Sequence, residues 1–345
     1  PDYTFGRQAL LHGSREMPNL RKVRVALIGV GEKESMAIRE QLYGMAAPFP
    51  LHTVADLGNL RKAEQEVLIP VLGELLNSKI IPVVLGAPDR IAPAQFLSCL
   101  QNKSLVNLAL VDEQPRFAAE GDVWHSLLFP RHPQIFHLSL IGWQMHRMPP
   151  HLPEWMRRQS FDAVRLGRSR ATLEDTEPYI RDADLMAFHL SALRQSDVPG
   201  VQNPTPSGYF LEEACQLCRY AGMSDKMTSF GVYGFHADKD SGTQTPQAVA
   251  QMCWYFLEGV FQRKNDYPAS TDGLTEYIVD FRKLHHQFTF WKSNKSGRWW
   301  MQIPAADKKR KYERHRLIPC SYQDYQAACR EELPDRLMAA LQRFS

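Results

Sequence analysis

The sequence predicts an α/β protein, a three-layer α/β/α fold on a mostly parallel eight-stranded sheet. Three observations carry this. Short apolar runs such as VRVALIGV and IIPVVL recur through the first two thirds of the chain, and such runs suit strands buried on both faces. Segments with helical spacing separate them, which is the alternation of parallel sheets with helices on both sides. Four of the runs end in polar clusters, GAPDR, DEQPR, FHLSALRQSD and YGFHADKD. In open α/β sheets, ligand sites form where strand carboxyl ends meet their loops.

Residues 1–22 are polar and read as an irregular surface arm. Val23 to Val30 is the first strand. The Gly29-Val30-Gly31 turn after it has a weak likeness to a dinucleotide loop, but the third glycine is missing and Glu32 and Glu34 would face a pyrophosphate. His52 to Leu57 is the second strand. Arg61 to Leu76 is an amphipathic helix in which Pro70 predicts a kink or break. Ile80 to Leu85, Leu105 to Val111, Phe136 to Ile141 and Ala163 to Leu166 are the next four strands. Leu185 to Phe188 is the seventh, followed by a long loop set by Pro199, Gly200, Pro204, Pro206 and Gly208. Thr228 to Tyr233 is the eighth, and Gln247 to Arg263 a long helix. Beyond it come aromatic and basic residues (Phe288 to Trp291, Arg298 to Met301), a basic run from Lys308 to Arg316, and a closing helix from Tyr322 to Phe344. The organisation predicted is an arm (1–22), an α/β domain (23–268) and a helical, aromatic-basic extension (269–345) packed on that domain.

Composition narrows the class. The chain has 345 residues, 44% of them hydrophobic, and a formal charge of +3. That charge is too mild to argue for nucleic acid. Asp307 and Glu313 interrupt the basic run at 308–316 and no recognition motif accompanies it, so a solvated loop is preferred to a nucleic-acid interface. The six cysteines sit in mostly apolar, helical contexts, as reduced thiols of a cytoplasmic protein do. No apolar run is long enough to span a bilayer. Cys215 and Cys218 form a CxxC inside a predicted helix, which favours packing over metal or redox work. His146, His285 and His286 have no partner at ligand spacing.

The order and spacing of the four polar strand ends resemble the ureohydrolase superfamily of arginase, agmatinase and formimidoylglutamase. VRVALIGV with IREQLY, IIPVVLG, VNLALVD, SDVPG…NPTPSG, EEACQLCRYAG and QMCWYFLEG extend the resemblance over roughly Val23 to Pro268 and make formimidoylglutamase-like proteins the nearest group. The resemblance implies the arginase/deacetylase-like fold. It also implies two manganese ions held by strand-end carboxylates and imidazoles, which activate a shared water against an amidine or guanidine carbon.

The ligand positions depart from that pattern. Gly-Gly-Asp-His becomes Gly86-Ala87-Pro88-Asp89, so Asp89 stands at the histidine. Asp-x-His-x-Asp becomes Asp112, Gln114 and Arg116. Asp-x-Asp becomes His189 and Ser191, and Gly234 replaces a glutamate. Only Asp112 keeps its chemistry, and Arg116 sets a permanent cation where a dication would sit. The expectation is a pseudoenzyme without a metal cofactor. Its old site and surface would bind a protein partner or scaffold an assembly, with a homo-oligomer left open. The alternative is a hydrolase of linear amidine or amide C–N bonds with one divalent metal, Mn or Zn, on Asp89, Asp112 and His189, with His125 as proton shuttle. Pairing of Asp89 or Asp112 with Arg116 is preferred to that single-metal site.

Overall fold

The computed structural model describes residues 2–12, 18–101, 103, 105–118, 120–129, 131–281, 286–303 and 314–344. Nine strands form the main sheet: β1 (Leu10–Leu11), β2 (Val25–Gly29), β3 (Val54–Asn59), β4 (Ile81–Ala87), β5 (Val106–Val111), β6 (Ile135–Trp143), β7 (Asp162–Arg165), β8 (Leu185–His189) and β9 (Ser229–Tyr233). Their spatial order is β1-β3-β2-β4-β9-β8-β5-β6-β7, and every pairing is parallel. The eight expected strands are all present.

The ninth strand corrects the reading of the arm. Leu10–Leu11 pairs with Ala55 and Asp56 at the sheet edge, and Phe5 is buried, stacked on Tyr43. Two apolar residues among polar neighbours are too short a run to register as a strand.

Alternation along the strands splits the core into two layers. Val25, Leu27, Val83 and Leu85 face the helices Glu32–Gly44, Leu211–Met223 and Gln244–Phe261. Ala26, Ile28, Val84 and Ala87 face the helices on the other side, among them Gln65–Asn77 and Pro93–Cys99. Successive strand side chains point to opposite faces, so a strand apolar at every position must be covered twice. The helix Gln65–Asn77 runs through Pro70 without the expected break. Helices Leu211–Met223 and Gln244–Phe261 touch at Gly222 and Gly259, where a Cβ on Gly222 would lie 2.0 Å from the Phe256 carbonyl oxygen. Cys215 and Cys218 are buried in that packing, and all six cysteines are free thiols.

The C-terminal segment differs from the expectation of an aromatic-basic stretch and one closing helix. β10 (Leu274–Phe281), β11 (His286–Ser293), β12 (Trp299–Gln302) and β13 (Leu317–Cys320) form an antiparallel sheet, and two helices follow, Tyr322–Cys329 and Asp335–Phe344. Pro334 lies between these helices and cannot continue the first. Val279, Phe288, Phe290, Trp299, Met301 and Ile318 make this sheet's own apolar face. Trp143, Trp299 and Trp300 are buried within the chain. Of the basic run, residues 308–313 lie outside the described residues, as does His285. Arg314 pairs with Asp184 at 3.0 Å, and His315 is buried. Arg343 reaches Asp182 (3.3 Å) and Asp162 (3.5 Å), and Arg181 donates to the carbonyls of Trp299 and Cys320. These contacts join the segment to the amino ends of the main strands.

Candidate functional site

Sheet order makes the site. β4, β9, β8 and β5 are consecutive in the main sheet, and all run parallel, so their carboxyl ends form one rim. Asp89 follows β4, Gly234 follows β9, His189 ends β8 with Ser191 two residues on, and Asp112 follows β5. Asp112 is held at the strand end by its backbone N–H, which donates to Ile141 O at 3.0 Å. The chain then turns, and Arg116, at the start of the short turn Arg116–Ala118, points back across the rim.

Arg116 is the hub. Its Nε donates to Asp112 Oδ2 at 2.5 Å, its Nη1 lies 3.2 Å from Asp89 Oδ2, and its Nη2 donates to Ser191 Oγ at 2.9 Å. Ser191 Oγ in turn donates to Asp112 Oδ1 at 2.8 Å. His189 Nδ1 is 2.7 Å from Asp89 Oδ1 and 4.0 Å from Asp112 Oδ2. Asp112 and His189 are buried, whereas the side chains of Asp89 and Arg116 keep 25% and 20% of their surface open to solvent. The cluster therefore has a wet edge. The Gln114 backbone N–H approaches Asp112 Oδ1 at 3.5 Å.

Gly234 has a structural reason to be glycine. Its φ is +89°, and a Cβ there would lie 2.7 Å from Asp89 Oδ1. The chain after β9 thus passes against the Asp89 carboxylate, which no side chain at this position would permit.

The charges support one another. Burial pushes the Asp89 carboxyl up, but the hydrogen bond and charge of His189, with Arg116 and His236, bring it down to about 2. Burial works against the Arg116 cation, yet Asp112 and Asp89 raise its pKa above the ordinary value. Glu113 was not singled out in the sequence, although it lies within the DEQPR cluster. It is buried with one carboxylate oxygen lacking a hydrogen bond among the described residues. Burial raises its pKa, and Arg147 at 3.7 Å offsets this in part.

The structure thus brings Asp89, Asp112, Arg116, His189, Ser191 and Gly234 together. His125 is placed apart from them. It stacks on Phe129 with ring centroids 4.8 Å apart, and its Nδ1 is 2.9 Å from the Phe117 carbonyl oxygen. No hydrogen bond among the described residues links it to the rim. For a metal, the rim offers two carboxylates and one imidazole, with both carboxylates bonded to Arg116. No group of three or more His, Cys, Asp or Glu side chains spaced to hold a metal occurs among the described residues.

No family model and no curated protein matches the sequence. Solved structures do match. A formiminoglutamase from Trypanosoma cruzi superimposes with a TM-score of 0.65 at 15% identity over 75% of this chain and 99% of that one. A structure of T. cruzi formiminoglutamase with Mn²⁺ gives 0.63 at 16% identity over 75% of this chain and 99% of that chain. Formimidoylglutamase from Bacillus subtilis gives 0.62 at 15% identity, over 75% and 92% of the two chains. Arginase from Bacillus caldovelox gives 0.55 at 16% identity, over 68% and 98%. This chain therefore has the arginase-type α/β fold that formiminoglutamases and arginase share.

Proposed function

We propose that this arginase-fold protein is a pseudoenzyme whose strand-end rim and surrounding surface bind a protein partner. One observation carries the reading. Arg116 is bonded to both remaining carboxylates, Asp89 and Asp112, and to Ser191. Two dications a few ångströms apart need several anionic donors to offset four positive charges. Two carboxylates already neutralised in part by a guanidinium that keeps its proton do not fit such a centre. The cluster supplies a hydrogen-bonded polar patch with a wet edge. Met145, exposed on the turn after β6 next to β5, adds an apolar contact on the same rim.

A second reading has its own support. His189 lies 2.7 Å from Asp89 and 4.0 Å from Asp112, so three donors stand close enough to converge if Arg116 moved away. A hydrolase of linear amidine or amide C–N bonds with one metal would need that displacement. Elemental mass spectrometry on purified protein separates the two. Metal below about a tenth of an equivalent, both after dialysis and after incubation with excess Mn²⁺ or Zn²⁺, is the pseudoenzyme result. Near one equivalent, lost in Asp112→Ala, would overturn it in favour of the hydrolase.

A further inference from the structure

A second polar enclosure lies between the α/β body and the C-terminal helices. The segments Leu166–Ala171, Leu173–Thr176 and Glu177–Arg181 face the helices Tyr322–Cys329 and Asp335–Phe344 across a cavity of about 290 Å³. Arg336 lines it with only 8% of its side chain exposed. Its guanidinium carbon sits 3.6 Å from the centroid of the Tyr179 ring, which lines the same cavity. The nearest carboxylate oxygen, Asp324 Oδ2, is 3.9 Å from Nε, beyond hydrogen-bond distance. That oxygen already accepts from the Ser321 N–H (2.7 Å) and hydroxyl (3.0 Å) at the start of its helix. Among the described residues Arg336 has no hydrogen-bond acceptor.

A buried guanidinium carries five N–H donors and must find acceptors. With one face covered by Tyr179, its edge is left to engage a planar anionic group through two parallel bonds. The cavity also carries the opposite sign. Asp175 and Asp335 line it, and neither side chain is hydrogen-bonded or ion-paired among the described residues. Arg168 and Arg330 line it as well. A dianion such as phosphate would meet repulsion from these carboxylates, whereas a molecule bearing both charges would satisfy both sets. We propose that this cavity binds a small zwitterion of the amino-acid class, its carboxylate on Arg336 and its cationic group on Asp175 and Asp335. The site is independent of the rim, and its occupant would touch both the body and the C-terminal helices.

Calorimetric titration of the full chain tests this with glycine, L-glutamate and L-arginine as zwitterions. Acetate, methylamine and inorganic phosphate serve as single-sign probes. At least one amino acid should bind about tenfold or more tightly than acetate, methylamine or phosphate. Arg336→Lys keeps the charge but loses the fork, and should weaken that affinity about tenfold. Asp175→Asn combined with Asp335→Asn, changes at less buried positions, should weaken amino-acid binding and leave acetate unchanged. Circular dichroism confirms that each variant is folded, and the less buried pair keeps the test open if Arg336→Lys is not. Absence of heat with all three amino acids, or equal affinity for acetate and the amino acids, would overturn the proposal. So would amino-acid binding that both sets of changes leave intact, or phosphate as the tightest ligand.

Discussion

Replacing Arg116 by methionine keeps most of the side-chain volume and removes the charge that joins Asp112, Asp89 and Ser191. Breaking a fully buried ion pair costs about 3–5 kcal/mol, because the partner left behind is an uncompensated charge. Here the cost should be smaller. Ser191 still donates to Asp112, and the Arg116 side chain is 20% exposed, so water reaches the vacated edge. A loss of ~2–3 kcal/mol follows. For 345 residues the unfolding entropy is ~0.7 kcal/mol/K, so Tm should fall by ~3–4 °C. Scanning calorimetry gives the shift, and chemical denaturation of Arg116→Met, Asp112→Asn and the double variant gives the coupling. That coupling should be ~1–3 kcal/mol, because the second change costs little once the first partner has gone. A Tm change under about 1 °C, or coupling below ~0.5 kcal/mol, would refute the view that Arg116 is the counter-charge of the rim.

The penalty of the same substitution should also depend on pH. The Asp89 pKa is depressed to about 2, so its ionised form contributes stability above the unfolded value near ~4, a contribution lost as pH falls through the folded value. Removing Arg116 raises that folded value, so the difference between Arg116→Met and the parent should shrink from pH 5 towards pH 2. A constant difference in urea unfolding over that range would be the contrary result. Gly234→Ala should cost ~1–3 kcal/mol, since φ is +89° and the new Cβ would press on Asp89 Oδ1. Denaturation that is unchanged within error would show that the chain after β9 relaxes freely. The metal measurement and the amino-acid titration above complete the set.

Much of the α/β body was legible because burial is written locally. IIPVVL is apolar at every position and VNLALV at all but Asn107, and only a strand covered on both sides accepts such a run. The edge strand Leu10–Leu11 and the antiparallel C-terminal sheet were not legible. The first is two residues long, and the second mixes Lys292 and Arg298 with Trp299 and Trp300. Half-exposed strands near a second core have no continuous apolar run to announce them. Glu113 was overlooked for a related reason. An acidic residue in a loop cluster reads as solvated, and its burial beside Arg147 is set only by the fold.

The sequence by itself determined the alternation of buried strands and helices and the residue types at the strand ends, including the arginine at position 116. It did not determine which groups pair. Asp89 and His189 are a hundred residues apart, and they meet because the sheet order places β4, β9 and β8 side by side. Only that order turns Arg116 into a bridge between two carboxylates from different strands. Likewise, nothing local announces that Arg336 will lie buried on Tyr179 with no hydrogen-bond acceptor among the described residues. Periodicity records whether a residue is buried, because burial depends on its own element. Charge pairing depends on neighbours supplied by the whole topology.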